Sequence, residues 1–214
     1  GPMRFVQNLD RMQRGMVFVA LGDLAEHGDG HVDVLRIQMP GEDALDPAVV
    51  EAVLRAPSTL PVPWRASATQ DVGGLTDVGF ISGTDFLLVL SSQGRGIYDC
   101  LTGERVARDR AEDYPFDTAS LTAPAFADFA THTVHTAGLH GGGLALTTHD
   151  GWSIEHFVFD WPEIIVTLSP PGQSSEYAAL GRPTAIHRHP SDSTTRAFGF
   201  SPTGRSLVVA SSSD

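Results

Sequence analysis

Seven of the nine histidines fall between positions 132 and 189, so metal ligation is the first chemistry to weigh. The run "HTVHTAGLH" carries His132, His135 and His140, and "HRH" carries His187 and His189. Neutral imidazole is a common zinc ligand. Spacing sorts the candidates. Side chains alternate along a strand, so His132 and His135 face opposite sides and share a metal only across a loop or bulge. His187 and His189, two apart, share a face and can both ligate zinc or another transition metal. The expected metal set is therefore His187, His189, His132 and His135, weighed against solvated loop histidines next to Pro190. "HRHPSD" does not continue with an Asp-His pair two positions on, which a common zinc-hydrolase pattern would require. His149 and His156 form a second group with Asp150, Glu155 and Asp160. In "WSIEHFVFD" the apolar majority at 157–159 marks a core strand before it marks a proton-transfer site.

Other chemistry is excluded more cleanly. All 14 basic residues are arginine, so lysine Schiff-base chemistry is absent. The single cysteine, Cys100, forms no internal disulfide and reads as a small buried hydrophobe. Its neighbour Asp99 would raise a thiol pKa and oppose nucleophilic use. The chain holds no Gly-x-Ser-x-Gly elbow, Walker motif, Cys-x-x-Cys or His-Glu-x-x-His. "GRG" at 94–96 and "GGG" at 141–143 read as hairpin glycines, since neither opens a helix. Catalytic and cofactor-binding residues are therefore expected to be none.

The net charge of −12 points away from nucleic acid, whose binding needs a basic surface. The closest basic window, Arg105, Arg108 and Arg110, is interrupted by Glu104, Asp109, Glu112 and Asp113. The same acidity favours capture of a basic protein partner. The first apolar run, Met16 to Leu21, is too short to span a membrane. The expectation is a soluble, cytoplasmic chain with no membrane partner. Gly1 and Pro2 before Met3 read as a protease-cleavage remnant, leaving 4–214 as one β-rich domain.

The elements that must hold any site are mostly strands. "GMVFVAL" and "HVDVLRIQM" read as N-terminal strands. Asp46 as N-cap and Pro47 at the first helical position predict one short helix over 47–55, closed by Pro57. Residues 57–71 read as a connector pinned by Trp64. Residues 72–110 predict four strands joined by tight glycine turns, an antiparallel meander. Residues 132–168 read as a second meander, with "LALTTH" as one of its strands. Residues 119–131 read as a short helix or loop and 169–195 as loop. "FGFSPTGRSLVVASSSD" at the end predicts a last hairpin.

Three strand ends, Phe80, Leu139 and Phe200, recur about 60 residues apart, each followed by a turn glycine. "DVGFISGTDFLLVLSSQGRGIYDCLTGERV" resembles a whole blade of a WD-repeat-type β-propeller, and "FGFSPTGRSLVVASSSD" resembles half of one. The match is poorer at 132–168. The Gly-His dipeptide of such repeats is missing, and Tyr98–Asp99 stands where Trp-Asp would. The resemblance implies that N-terminal strands complete the C-terminal half-blade. Too few units are present for a closed ring. The expected fold is mainly β, with antiparallel meanders in a β-sandwich or partly rolled, propeller-like sheet.

These features predict a non-catalytic acidic domain that binds protein, in a specific form an immunity- or antitoxin-like protein neutralising a basic partner. The alternatives are a metal-dependent enzyme built on the histidines of 132–189, and a scaffold or sensor subunit whose terminal edge strand pairs with another chain.

Overall fold

The computed structural model describes residues 14–21, 47–111, 113–160, 163–173, 184–188 and 193–213. The protein is mainly β and antiparallel, as expected. Strand β1 (Arg14–Leu21) precedes α-helix α1 (Pro47–Leu54). There follow β2 (Arg65–Gly73), β3 (Leu75–Phe80), β4 (Phe86–Ser91), β5 (Gly94–Asp99) and β6 (Glu104–Asp109). Three short strands come next, β7 (Thr122–Pro124), β8 (Thr133–His135) and β9 (Ala137–Gly138). The last five are β10 (Ser153–Asp160), β11 (Glu163–Ser169), β12 (Thr184–Arg188), β13 (Ser193–Phe200) and β14 (Ser206–Ser213).

The two ends of the chain meet. The sheet order β13-β14-β1-β2 places the last strand between its hairpin partner and the first strand. Val17 stands opposite Ala210, and Val19 opposite Val208. The terminal strand therefore offers no open edge, and the edges of this sheet are β13 and β2. A second sheet runs β6-β5-β4-β3-β9, and a third runs β10-β11-β12.

Alternation along the central strands stacks these sheets face to face. On β14, Val208 and Ala210 pack with Leu87, Val89 and Tyr98 of the second sheet. Leu207 and Val209 point the other way, onto Ile154, Val166 and Leu168 of the third sheet. On β4, Leu88 and Leu90 leave the first interface and pack under Ala123 and Val134 of the β7–β8 hairpin. At the other end of the stack, Val49 and Val53 of α1 cover Phe157 and Ile165. The order of layers is thus helix, third sheet, closing sheet, second sheet, hairpin. Each exposed sheet face has been given a cover, because burying apolar surface is the main favourable term available.

Residues 137–147 correct the second expected meander. "LALTTH" is not a strand, and the segment instead crosses all three sheet edges in turn. Ala137 pairs with Val78 on β3, the Phe200 amide donates to the Ala145 carbonyl at 2.7 Å, and the Ile154 amide donates to the Leu146 carbonyl at 2.8 Å. The backbone of this strap satisfies edge groups that would otherwise be open. Its approach to β13 needs Gly199, where a Cβ would collide with Leu144. Leu139, expected to match Phe80 and Phe200, is 53% exposed on the strap, whereas those two are 8% and 1% exposed.

The expected connector 57–71 contains most of β2. Trp64 does pin its start: the ring lies 5.8 Å from Trp152 and 5.4 Å from Phe200. "HVDVLRIQM" and Asp46 lie outside the described residues. Among the described residues no helix is long and apolar enough to cross a membrane.

Candidate functional site

Two aspartates are buried within apolar surroundings, and the structure treats them differently. Asp85 ends the β3–β4 turn and is 7% exposed. The β13–β14 turn reaches it from the neighbouring sheet. Ser201 Oγ donates to Asp85 Oδ1 at 2.7 Å, Ser206 Oγ donates to the same oxygen at 2.6 Å, and Thr203 Oγ1 lies 2.8 Å from both carboxylate oxygens. Ser201 and Ser206 are themselves buried. The Asp85 carbonyl accepts from the Cys100 amide at 3.0 Å. Every side-chain oxygen in this cluster has a partner, so it latches two sheets together.

Asp77 sits in the middle of β3 with no exposed surface. Its Oδ2 is 2.7 Å from His140 Nδ1, and its Oδ1 accepts from the His140 amide at 3.3 Å. The carboxylate is an acceptor, so the bond places a proton on Nδ1 and leaves Nε2 of the neutral ring as the basic nitrogen. The ring packs edge-on against Phe116 at 4.9 Å, and its side chain is 37% exposed. Among the described residues Nε2 has no hydrogen-bond partner. A carboxylate that orients imidazole in this way is half of an acid–base constellation. Here no hydroxyl or thiol among the described residues is bonded to Nε2, so the pair lacks a nucleophile. What it does achieve is to staple the strap to β3. Burial, with Asp77 contributing, also raises the pKa of nearby Tyr114, whose hydroxyl donates to the Ser91 carbonyl.

Two of the expected ligands, His132 and His135, lie at the β7–β8 hairpin. His132 follows a 3-10 turn, with Nδ1 3.2 Å from the Phe129 carbonyl oxygen. His135 ends β8 and is exposed. The backbone of His187 lies in β12, opposite Val166, and His189 lies outside the described residues. Among the described residues no group of three His, Cys, Asp or Glu side chains could hold a metal ion. His149 is exposed in a turn. His156 lies against Phe198 at 5.2 Å, and desolvation lowers its pKa. Cys100 is buried as expected, and its thiol pKa is driven up by burial first, then by Asp85 and Asp99. An uncharged, inaccessible thiol is a packing residue.

Sequence reading missed both aspartates and the hydroxyl trio. One signal was present: Asp77 interrupts "LTDVGF", and a charge within a buried strand requires a partner. The partner is 63 residues away on an irregular strap, and no local pattern points to it. Comparison with family models, with curated proteins and with solved structures finds no match.

Proposed function

We propose that the chain is a non-catalytic domain that binds a basic protein partner. The carrying observation is an acidic flank. Segment 111–131 holds Glu112, Asp113, Asp117 and Asp128 and no basic residue. It includes β7 and reaches the end of the hairpin layer. Asp113, Asp117 and Asp128 are exposed. Hydrogen bonds from the Ser120 hydroxyl and from the Ala119 and Ser120 amides hold Asp117 below the usual carboxylate range, keeping it charged. The buried reactive groups, by contrast, are engaged in holding the fold. Like charge carried along one exposed segment favours fast, salt-sensitive capture of an opposite surface. Neutralising a basic toxin, as an immunity protein does, is the specific form of this reading.

The WD-repeat-type resemblance belongs to the same proposal. Its support is the four-stranded run β3–β6, and the completion of β13–β14 by β1 and β2. Binding modules of that kind carry function on turns and edges, which suits a domain whose described residues assemble no nucleophile–base pair.

The test is to isolate the partner from the source cell and to measure its Kd at low and high salt. The expected result is at least roughly tenfold weakening with salt, and a comparable loss for the combined Asp113→Asn, Asp117→Asn and Asp128→Asn variant. Affinity unchanged by both would refute the electrostatic reading.

A further inference from the structure

A β-bulge in β6, the edge strand of the second sheet away from β9, gathers positive charge. In the β5–β6 pairing, Ile97 stands opposite Ala107 but Tyr98 stands opposite Arg105, so Val106 is an extra residue. A bulge shifts the side-chain phase of its strand. Arg105, opposite Tyr98, and Arg108, opposite Gly96, therefore share one face. A side chain at Gly96 would meet both the Tyr98 ring and the Arg105 stem, which places Arg105 on that face. Arg110 follows two residues after Arg108.

Two of the carboxylates that interrupt this run in sequence, Glu104 and Asp109, are turned away. Asp109 pairs with Arg95 on the other face, at 3.0 Å, and accepts from the Ala111 amide. Arg95 is fully engaged there: it donates to the Pro124 carbonyl at 2.8 Å and lies over the Phe126 ring at 4.7 Å. Glu104 stands opposite Asp99, also away from the Tyr98 face. The result is a cleft of about 470 Å³ lined by Arg105, Arg108 and Arg110, with Gln93 and Asp71 at its sides. Arg108 is oriented by donating to the Gln93 carbonyl at 2.7 Å.

We propose that this cleft binds a small phosphorylated molecule, with Arg105, Arg108 and Arg110 on its phosphoryl group. Three guanidinium groups outnumber the two oxygens of a single carboxylate and suit the three terminal oxygens of a phosphate monoester. Three arginines and Asp71 leave the cleft with two positive charges, which a phosphate dianion balances. On a chain of net charge −12, such a local reversal of sign is a selective feature. Asp71 supplies an acceptor for a hydroxyl of the ligand. The inference does not depend on the protein-binding reading, which uses the 111–131 flank.

Calorimetric titration of the full chain at low salt, with inorganic phosphate, pyrophosphate and succinate in turn, tests the assignment. The expected result is saturable one-to-one binding of phosphate and pyrophosphate and at least tenfold weaker succinate binding. Arg105→Gln and Arg108→Gln should each weaken pyrophosphate binding about tenfold. Both side chains are exposed, so the fold should survive, as an unchanged thermal midpoint would verify. Arg205→Gln, an exposed arginine on the β13–β14 turn, should leave binding unchanged. Absence of saturable binding, succinate binding as tightly as phosphate, or equal weakening by Arg205→Gln would each overturn the proposal.

Discussion

Asp85 and Asp77 are both carboxylates removed from water, yet one is closed and the other half open. Asp85 receives three hydroxyl donors from the β13–β14 turn and the first residue of β14, and two of them, Ser201 and Ser206, are buried with it. Asp77 receives a ring nitrogen whose other face meets solvent. Neutral hydroxyls satisfy a carboxylate by hydrogen bonding alone, whereas a histidine can also supply charge. The difference teaches how a buried acid can be tolerated. It is either saturated in place, where it serves only to hold the fold, or tied to a side chain that still reaches water.

The sharpest way to break this comparison is Asp85→Ala. The substitution removes an acceptor shared by Ser201, Thr203 and Ser206, and two of those hydroxyls are buried. Charge-assisted bonds contribute more than neutral ones, and orphaned buried donors cost their full desolvation, so a loss of about 4 kcal/mol is expected in urea unfolding. A loss under about 1 kcal/mol would mean that the hydroxyls simply re-pair, as the 3.1 Å Ser201–Thr203 contact would allow.

The Asp77 pair should respond asymmetrically. His140→Ala leaves a carboxylate with no exposed surface and without its ring partner, an expected cost of about 3 kcal/mol. Asp77→Asn keeps an acceptor for Nδ1 and leaves a ring that water can reach, an expected cost of about 1 kcal/mol. Equal losses in the two variants, measured by the same unfolding assay, would show that the buried charge is not what His140 offsets.

Much of the frame was legible because it follows short-range rules. Pro47 and the apolar run behind it mark α1. Tight turns with glycine at positive φ, as at Gly83 and Gly204, mark the hairpins. The meeting of the chain ends followed from an apolar N-terminal strand and a C-terminal hairpin with no outer partner. Strand β2 was not legible, because "RASATQDVG" is an edge strand whose residues are nearly all exposed or half-buried and largely polar, and it looks like a connector. The strap was misread because "LALTTH" alternates as a strand does, while its backbone is divided among three sheets. The arginine cleft was hidden because alternation and one bulge, not composition, separate its cations from the neighbouring acids. In each case the missing information is a register or a contact across tens of residues.

Cys100 reports on the closed region through the pH dependence of stability. Its amide is bound to Asp85, and burial, then Asp85 and Asp99, raise its thiol pKa in the folded state. In the unfolded chain the thiol ionises near pH 8.5. Above that pH the unfolded state binds fewer protons than the folded state, so stability falls as pH rises. Below it both states hold the proton and the term vanishes. Between pH 8 and pH 10 the expected loss from this one group is about 2 kcal/mol. Other groups, Tyr114 among them, add their own slope, so the measurement is the difference between the chain and its Cys100→Ala variant, each unfolded in urea at both pH values. The variant should lose about 2 kcal/mol less over that interval. Equal slopes would mean that the thiol ionises as readily folded as unfolded, which a sealed latch around Asp85 does not permit.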